Sequence, residues 1–185
     1  MSALIEVMDR LDRRLPLAGE VKAFQDLEEV ICALQEELGH GVRLQSLDDG
    51  SVESLSDAQR RLFETIVYLQ GAWMLLSDIA SDGVYSIFYK CTGEEIELCR
   101  AALRRGDEPL LELFEEAYSL VAGQLDIVPD ANIIARRPEE SPYDLVDRET
   151  LARLDDIENR IEAQRMEAIE RLIACYHRAR FTRPA

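Results

Sequence analysis

Apolar side chains recur at three- and four-residue intervals along almost the whole chain, the period of a helix buried on one side. The strongest stripe is Leu62, Ile66, Leu69, Trp73 and Leu76, opened by Ser56 and Gln59 at capping-box spacing and broken at Ser81-Asp82-Gly83. Before it, Leu4, Met8, Leu11 and Leu15 run up to Pro16, and Phe24, Leu27, Ile31, Leu34 and Leu38 run up to Gly39 and Gly41. Residues 40 to 53 are polar and turn-rich and are expected to be a loop. After the strong stripe come a short aromatic helix from Val84 to Cys91 and a second capping box, Thr92 to Glu95, leading into Ile96, Cys99, Ala102 and Leu103. Gly106 ends that element, and Asp107 is placed to cap the next, with Pro109 in its first turn. Leu110, Phe114, Ala117, Tyr118 and Val121 form its apolar face, and Gly123 terminates it.

Residues 124 to 147 hold Pro129, Pro138 and Pro142 and show no period, so they read as a long loop. One long helix is expected from about Asp147 to Arg180, with Leu151, Leu154, Ile157, Ile161, Ile169, Leu172 and Tyr176 on its apolar side. At 1.5 Å per residue it extends roughly 45 Å. No segment alternates with period two, and the Ile133-Ile134 pair is too short to carry a sheet. The expected fold is all-α, a multi-helix bundle with a long C-terminal helix. Residues 1–53 are expected to form an N-terminal helical pair and loop, and 54–185 a helical domain.

The composition narrows function. Apolar residues make up 47% of the 185, enough to build a core and too many for a disordered acidic tail. The net charge is −16, from 37 acids against 21 bases. Such a field repels phosphate, so direct nucleic-acid binding and docking on anionic membrane are not expected. Charges at Glu6, Asp9, Arg10 and Asp12 break any secretory apolar segment, and no run approaches bilayer length, so a soluble, cytoplasmic protein is expected. The four cysteines, Cys32, Cys91, Cys99 and Cys175, make no Cys-x-x-Cys pair and fall in or beside apolar stripes, as inert core thiols would.

The acidity is uneven. Residues 107 to 147 carry 11 acids against 2 bases, net −9, whereas residues 148 to 185 are nearly balanced at +1. Glu108, Glu112, Glu115 and Glu116 recur at i, i+4, i+7 and i+8, which sets them on one helix face with no base in that helix to offset them. Asp126, Asp130, Glu139, Glu140, Asp144 and Asp147 continue the series. One reading is a solvated helix face beside a solvated loop. The other is a docking surface for a basic protein, in which carboxylates stand where a duplex presents its phosphates. In the last helix, acids alternate with Arg153, Arg160 and Arg165, including Asp156 and Arg160 at i,i+4, as in an exposed face laced with ion pairs. Arg171, Arg178, Arg180 and Arg183 suit the negative end of its dipole.

No catalytic constellation stands out. His40, between two glycines, is expected at a helix C-terminus, and His177 lies near the end of the last helix; neither has a Cys or His at ligand spacing. Phosphate-binding glycine loops, serine nucleophile elbows and the EF-hand spacing are absent. The chain is read as a non-enzyme without metal or cofactor.

The stretch from Ser77 to Leu103, SDIASDGVYSIFYKCTGEEIELCRAAL, resembles a family of small acidic all-helical bacterial proteins that includes a DNA mimic. Its pattern is an acidic residue, Asn-Gly-Gly-Phe, an amide residue, two or three aromatics, Asn-x-x-Gly, and a helix ending in Ala-Leu. Gly83, Phe88, Tyr89, Gly93, Ala102 and Leu103 match it; Ser81, Asp82, Val84, Ser86 and Lys90 depart from it. The run from Leu151 to Phe181 is similar to that family's last helix. The resemblance implies a dimeric helical protein whose acidic face holds a helix-turn-helix transcription factor away from its operator. The expected function is therefore an acidic protein-binding module that occupies the nucleic-acid-binding surface of a basic partner. The alternatives are an immunity-type inhibitor of a cationic toxin and a helical oligomer without a charge-dependent role. An apolar stripe such as Leu62 to Leu76 leaves room for the seam of a homodimer.

Overall fold

The computed structural model describes residues 3–17, 19–38, 53–104 and 108–181. Among these, every regular element is helical, as the apolar period predicts. The α-helices are α1 (Ala3–Arg14), α2 (Phe24–Leu38), α3 (Asp57–Asp82), α4 (Val84–Lys90), α5 (Gly93–Arg104), α6 (Glu108–Val121), α7 (Ile133–Arg136) and α8 (Arg148–Phe181), with a 3₁₀ turn at Pro142–Asp144. The long C-terminal helix spans 34 residues. None of the described helices is long and apolar enough to cross a membrane. The expectations for residues 40 to 52, including His40, and for Gly106 and Asp107 lie outside the described residues.

The helix starts have local causes. Gln59 N–H donates to Ser56 Oγ (3.3 Å) while Ser56 N–H donates to Gln59 Oε1 (3.1 Å). At α5 the same exchange joins Glu95 N–H to Thr92 Oγ1 (3.3 Å) and Thr92 N–H to Glu95 Oε2 (2.8 Å). Each box satisfies donors that the first helical turn leaves unpaired. Asn132 caps α7 through Ala135 N–H (2.8 Å), so the Ile133-Ile134 pair enters a helical turn inside the long connection.

The chain divides into two compact units, 1–70 with 169–185, and 71–168, and both long helices run through the division. The boundary expected after residue 53 falls inside the first unit. In that unit α1 packs on α2, burying Met8, Leu11, Leu15, Leu27 and Ile31, and the end of α8 contributes Leu172 and Tyr176. Three side chains of its last turns hold the segment after α1. Tyr176 OH donates to Pro16 O (2.7 Å), His177 Nε2 bonds Val21 O (2.9 Å), and Arg180 donates to Leu15 O and Asp12 O (3.1 Å each) and pairs with the Asp12 carboxylate. The Arg180 side chain is only 5% exposed. It is therefore an internal tie as well as a cation in the last turn of α8, because the end of α1 and the chain leaving it supply oxygens to it.

In the second unit α5 packs on α6, and α4 packs on α6 and α7. Phe88 meets Phe114 and Tyr118 with ring centroids 5.6 and 6.3 Å apart. Gly71 lets α3 approach α5 closely: a Cβ there would fall 2.3 Å from Ala102 Cβ, and Cys99 Sγ donates to Gly71 O (3.5 Å). Gly83 turns the chain between α3 and α4 at φ 81°, ψ 165°, a conformation open essentially to glycine alone. Glu158 of α8 caps that turn, its Oε2 accepting Val84 N–H (3.0 Å). Asp82 and Lys90, two positions that depart from the motif, form an ion pair with each other.

Two expectations are corrected. Cys32 is exposed, since the apolar face of α2 turns Leu27, Val30 and Ile31 inward instead; Cys99 is buried, and Cys91 and Cys175 are half-buried. Leu62, Ile66, Leu69 and Leu76 of the strongest stripe are all buried within the chain, so that stripe offers no intermolecular seam.

Candidate partner-binding surface

Helix α6 carries the densest acidic spacing. Its apolar face, Leu110, Leu113, Phe114, Ala117 and Val121, is buried, which turns the glutamates outward. They do not form a uniform ladder. Glu115 takes a bidentate grip from Arg100 of α5, with Nε to Oε1 at 2.9 Å and Nη2 to Oε2 at 2.7 Å, and Arg104 Nη2 stands 3.4 Å from Oε1. Arg100 also pairs with Glu97 and lies 4.7 Å from the centroid of the Tyr118 ring. The Arg100 bonds hold the Glu115 carboxyl below the usual glutamate range. Glu116 accepts from Arg160 of α8 at 2.8 Å, and that guanidinium stands 3.8 Å from Asp156. The absence of a base in α6 is thus made good by the helices beside it. Glu112 is exposed and has no partner among the described residues. The side chain of Glu108 lies outside the described residues.

The connection from 122 to 147 divides its acids in the same way. Arg136 bonds both the Asp126 carboxylate (2.5 Å) and the Asp126 carbonyl (2.6 Å), which lowers the Asp126 pKa. Arg137 and Glu140 approach to 3.6 Å. Asp147 caps α8: its Oδ1 accepts Thr150 N–H (2.7 Å), and that bond keeps the carboxyl ionised to lower pH than an ordinary aspartate. Gln124 ties the two ends of the connection together, accepting Asp147 N–H (2.8 Å) and donating to Thr150 Oγ1 (2.7 Å). Asp130, Glu139 and Asp144 are exposed, and their carboxylates have no partner among the described residues.

Of the ten acids expected to form one face, Glu115, Glu116, Asp126 and Glu140 are ion-paired inside the chain and Asp147 is a helix cap. Glu112, Asp130, Glu139 and Asp144 keep free carboxylates. The second unit as a whole carries 22 acids against 10 bases, net −12 of the chain's −16. The partners of the α6 glutamates come from α5 and α8, so spacing within α6 gave no sign of them. On α8 the expected lacing holds, with Arg160 near Asp156 and Arg165 bonded to Glu162 (3.0 Å).

A group that spacing did not single out is a tyrosine cluster. Tyr85 and Tyr89 are buried, with centroids 5.1 Å apart, and Tyr143 covers them at 6.0 and 6.3 Å while remaining 58% exposed. Tyr85 OH donates to Pro142 O (2.6 Å), anchoring the turn that carries Tyr143. Burial raises the pKa values of Tyr85 and Tyr89 to about 12. Among the described residues, no group of three or more His, Cys, Asp or Glu side chains is arranged to hold a metal ion. Comparison with protein-family models, curated proteins and solved structures finds no match to the chain.

Proposed function

We propose that the chain is an acidic protein-binding module that captures a basic protein by covering its nucleic-acid-binding surface, as a DNA mimic does. The observation that carries this reading is the concentration of net charge −12 in the second unit, with exposed carboxylates at Glu112, Asp130, Glu139 and Asp144 that no base of the chain neutralises among the described residues. Unpaired exposed carboxylates attract a cationic surface over about a Debye length, so they set association rate and selectivity. The paired acids support the scaffold and are not the contact set. The resemblance of Ser77–Leu103 to the acidic helical family points the same way.

The test is capture of basic DNA-binding proteins by the immobilised full chain. Capture should weaken steeply between 50 and 300 mM salt, at roughly the Debye screening expected of exposed charges. Duplex DNA should release the captured protein. Glu112→Gln, Asp130→Asn, Glu139→Gln and Asp144→Asn combined should abolish capture with the thermal midpoint unchanged. Capture that survives both the salt and the fourfold variant overturns the reading.

A further inference from the structure

The second unit contains a cleft of about 490 Å³ walled by the end of α3, the Gly83 turn, Tyr143 and α8. That volume lies within the range of ordinary ligand sites. Its charged lining side chains are Asp82, Asp155 and Glu158, and no basic side chain lines it. Asp82 is already paired with Lys90. Glu158 spends Oε2 on Val84 N–H and keeps Oε1. Asp155 is exposed, and its carboxylate has no partner among the described residues. The hydroxyl donors are largely spent inside the chain, Tyr85 on Pro142 O and Ser81 on Asp78 O and Asp82. What remains is a set of acceptors beside the largely exposed aromatic ring of Tyr143.

Such a lining repels anions and offers little to a neutral polar group, which would need donors in return. It fits a flat cation with several N–H groups, because a guanidinium can stack on a ring while donating to carboxylates in its own plane. The chain supplies an internal precedent beside the cleft. The Lys90 ammonium lies 5.9 Å from the centroid of the Tyr89 ring and pairs with Asp82, so one cation is already held by a tyrosine and a carboxylate.

We propose that this cleft receives an arginine side chain of a protein partner, stacked on Tyr143 and hydrogen-bonded to Asp155 and Glu158. The proposal rests on the reading that the second unit captures a basic protein, and it names one anchor of that capture. It is separable from the four free carboxylates because Tyr143 and Asp155 are not among them.

The experiment titrates the full chain with a short arginine-bearing peptide, with the same peptide carrying citrulline, and with methylguanidinium, followed by calorimetry and by Tyr ring resonances. Citrulline keeps the shape and removes the charge. The arginine peptide should bind, with the citrulline form at least about tenfold weaker, and Tyr143→Ala and Asp155→Asn should each lose about fivefold to tenfold. Both positions are exposed, and an unchanged thermal midpoint verifies folding. Glu29→Gln, on the exposed side of α2 in the other unit, should leave peptide binding intact. Equal binding of the citrulline peptide, or parent-like binding by both variants, overturns the proposal. Methylguanidinium binding as tightly as the peptide overturns the protein-side-chain assignment. Capture of basic proteins that persists in the Tyr143→Ala, Asp155→Asn double variant sinks the anchor alone, whereas loss of charge-dependent capture in the fourfold carboxylate variant speaks only to the wider surface.

Discussion

Two glycines show how much single positions decide. Gly83 combines a positive φ with a neighbour that leaves no space: a Cβ there would sit 2.5 Å from Glu158 Oε2. Gly83→Ala is expected to destabilise the protein by about 1–3 kcal/mol, since the backbone would be strained and the Val84 cap displaced. A urea midpoint checks it. Gly71→Ala should have a comparable effect, about 1–3 kcal/mol, by forcing α3 and α5 apart at Ala102. The sequence shows Gly83 plainly as a helix breaker between two apolar runs. It does not show Gly71, because a glycine inside a helical period signals a close approach only once the facing helix is known.

Helices and their ends were largely legible. Ser56–Gln59 and Thr92–Glu95 are local devices, complete within four residues, so spacing alone reveals them. Thr92→Ala should weaken stability by about 1 kcal/mol, read from thermal unfolding. Faces were legible too, and α6 turns its glutamates out as the period requires. Their neutralisation was not, because Arg100 lies 15 residues from Glu115 and Arg160 lies 44 from Glu116. A contrast follows on one helix. Glu115→Lys loses a bidentate pair and sets a cation against Arg100 and Arg104, and should cost about 1–2 kcal/mol. Glu112→Lys, with no partner to lose, should change stability by less than about 0.5 kcal/mol. Equal effects at the two positions would show that the Arg100 pair contributes nothing in solution.

Across the molecule, buried phenols tie stability to alkaline pH. Tyr85, Tyr89 and Tyr176 are pushed up to about 12 by burial, against an ordinary value near 10. The folded state therefore holds protons that the unfolded chain releases, and this stability is full below about pH 10 and is lost as pH rises through about 12. The half-buried Cys91 thiol, also raised to about 12 from an ordinary value near 8.5, begins the same loss lower. Urea midpoints should fall steadily from about pH 9 to 12, with tyrosinate absorbance appearing late in the folded protein. Flat midpoints over that range would mean that these groups are solvated. Helical class, the order of the longer helices, the two capping boxes, the long last helix and the acidic balance were all readable from residue types and period, since each is a property of neighbours along the chain; the short α7 inside the 124–147 connection, expected as loop, was not. Which carboxylates stay free, why Arg180 lies buried against Asp12, and how Tyr143 comes to stand over a carboxylate-lined cleft depend on contacts between residues far apart in the chain. Burial and charge pairing belong to faces that meet, and a periodic pattern says which residues share a face but not what that face will meet.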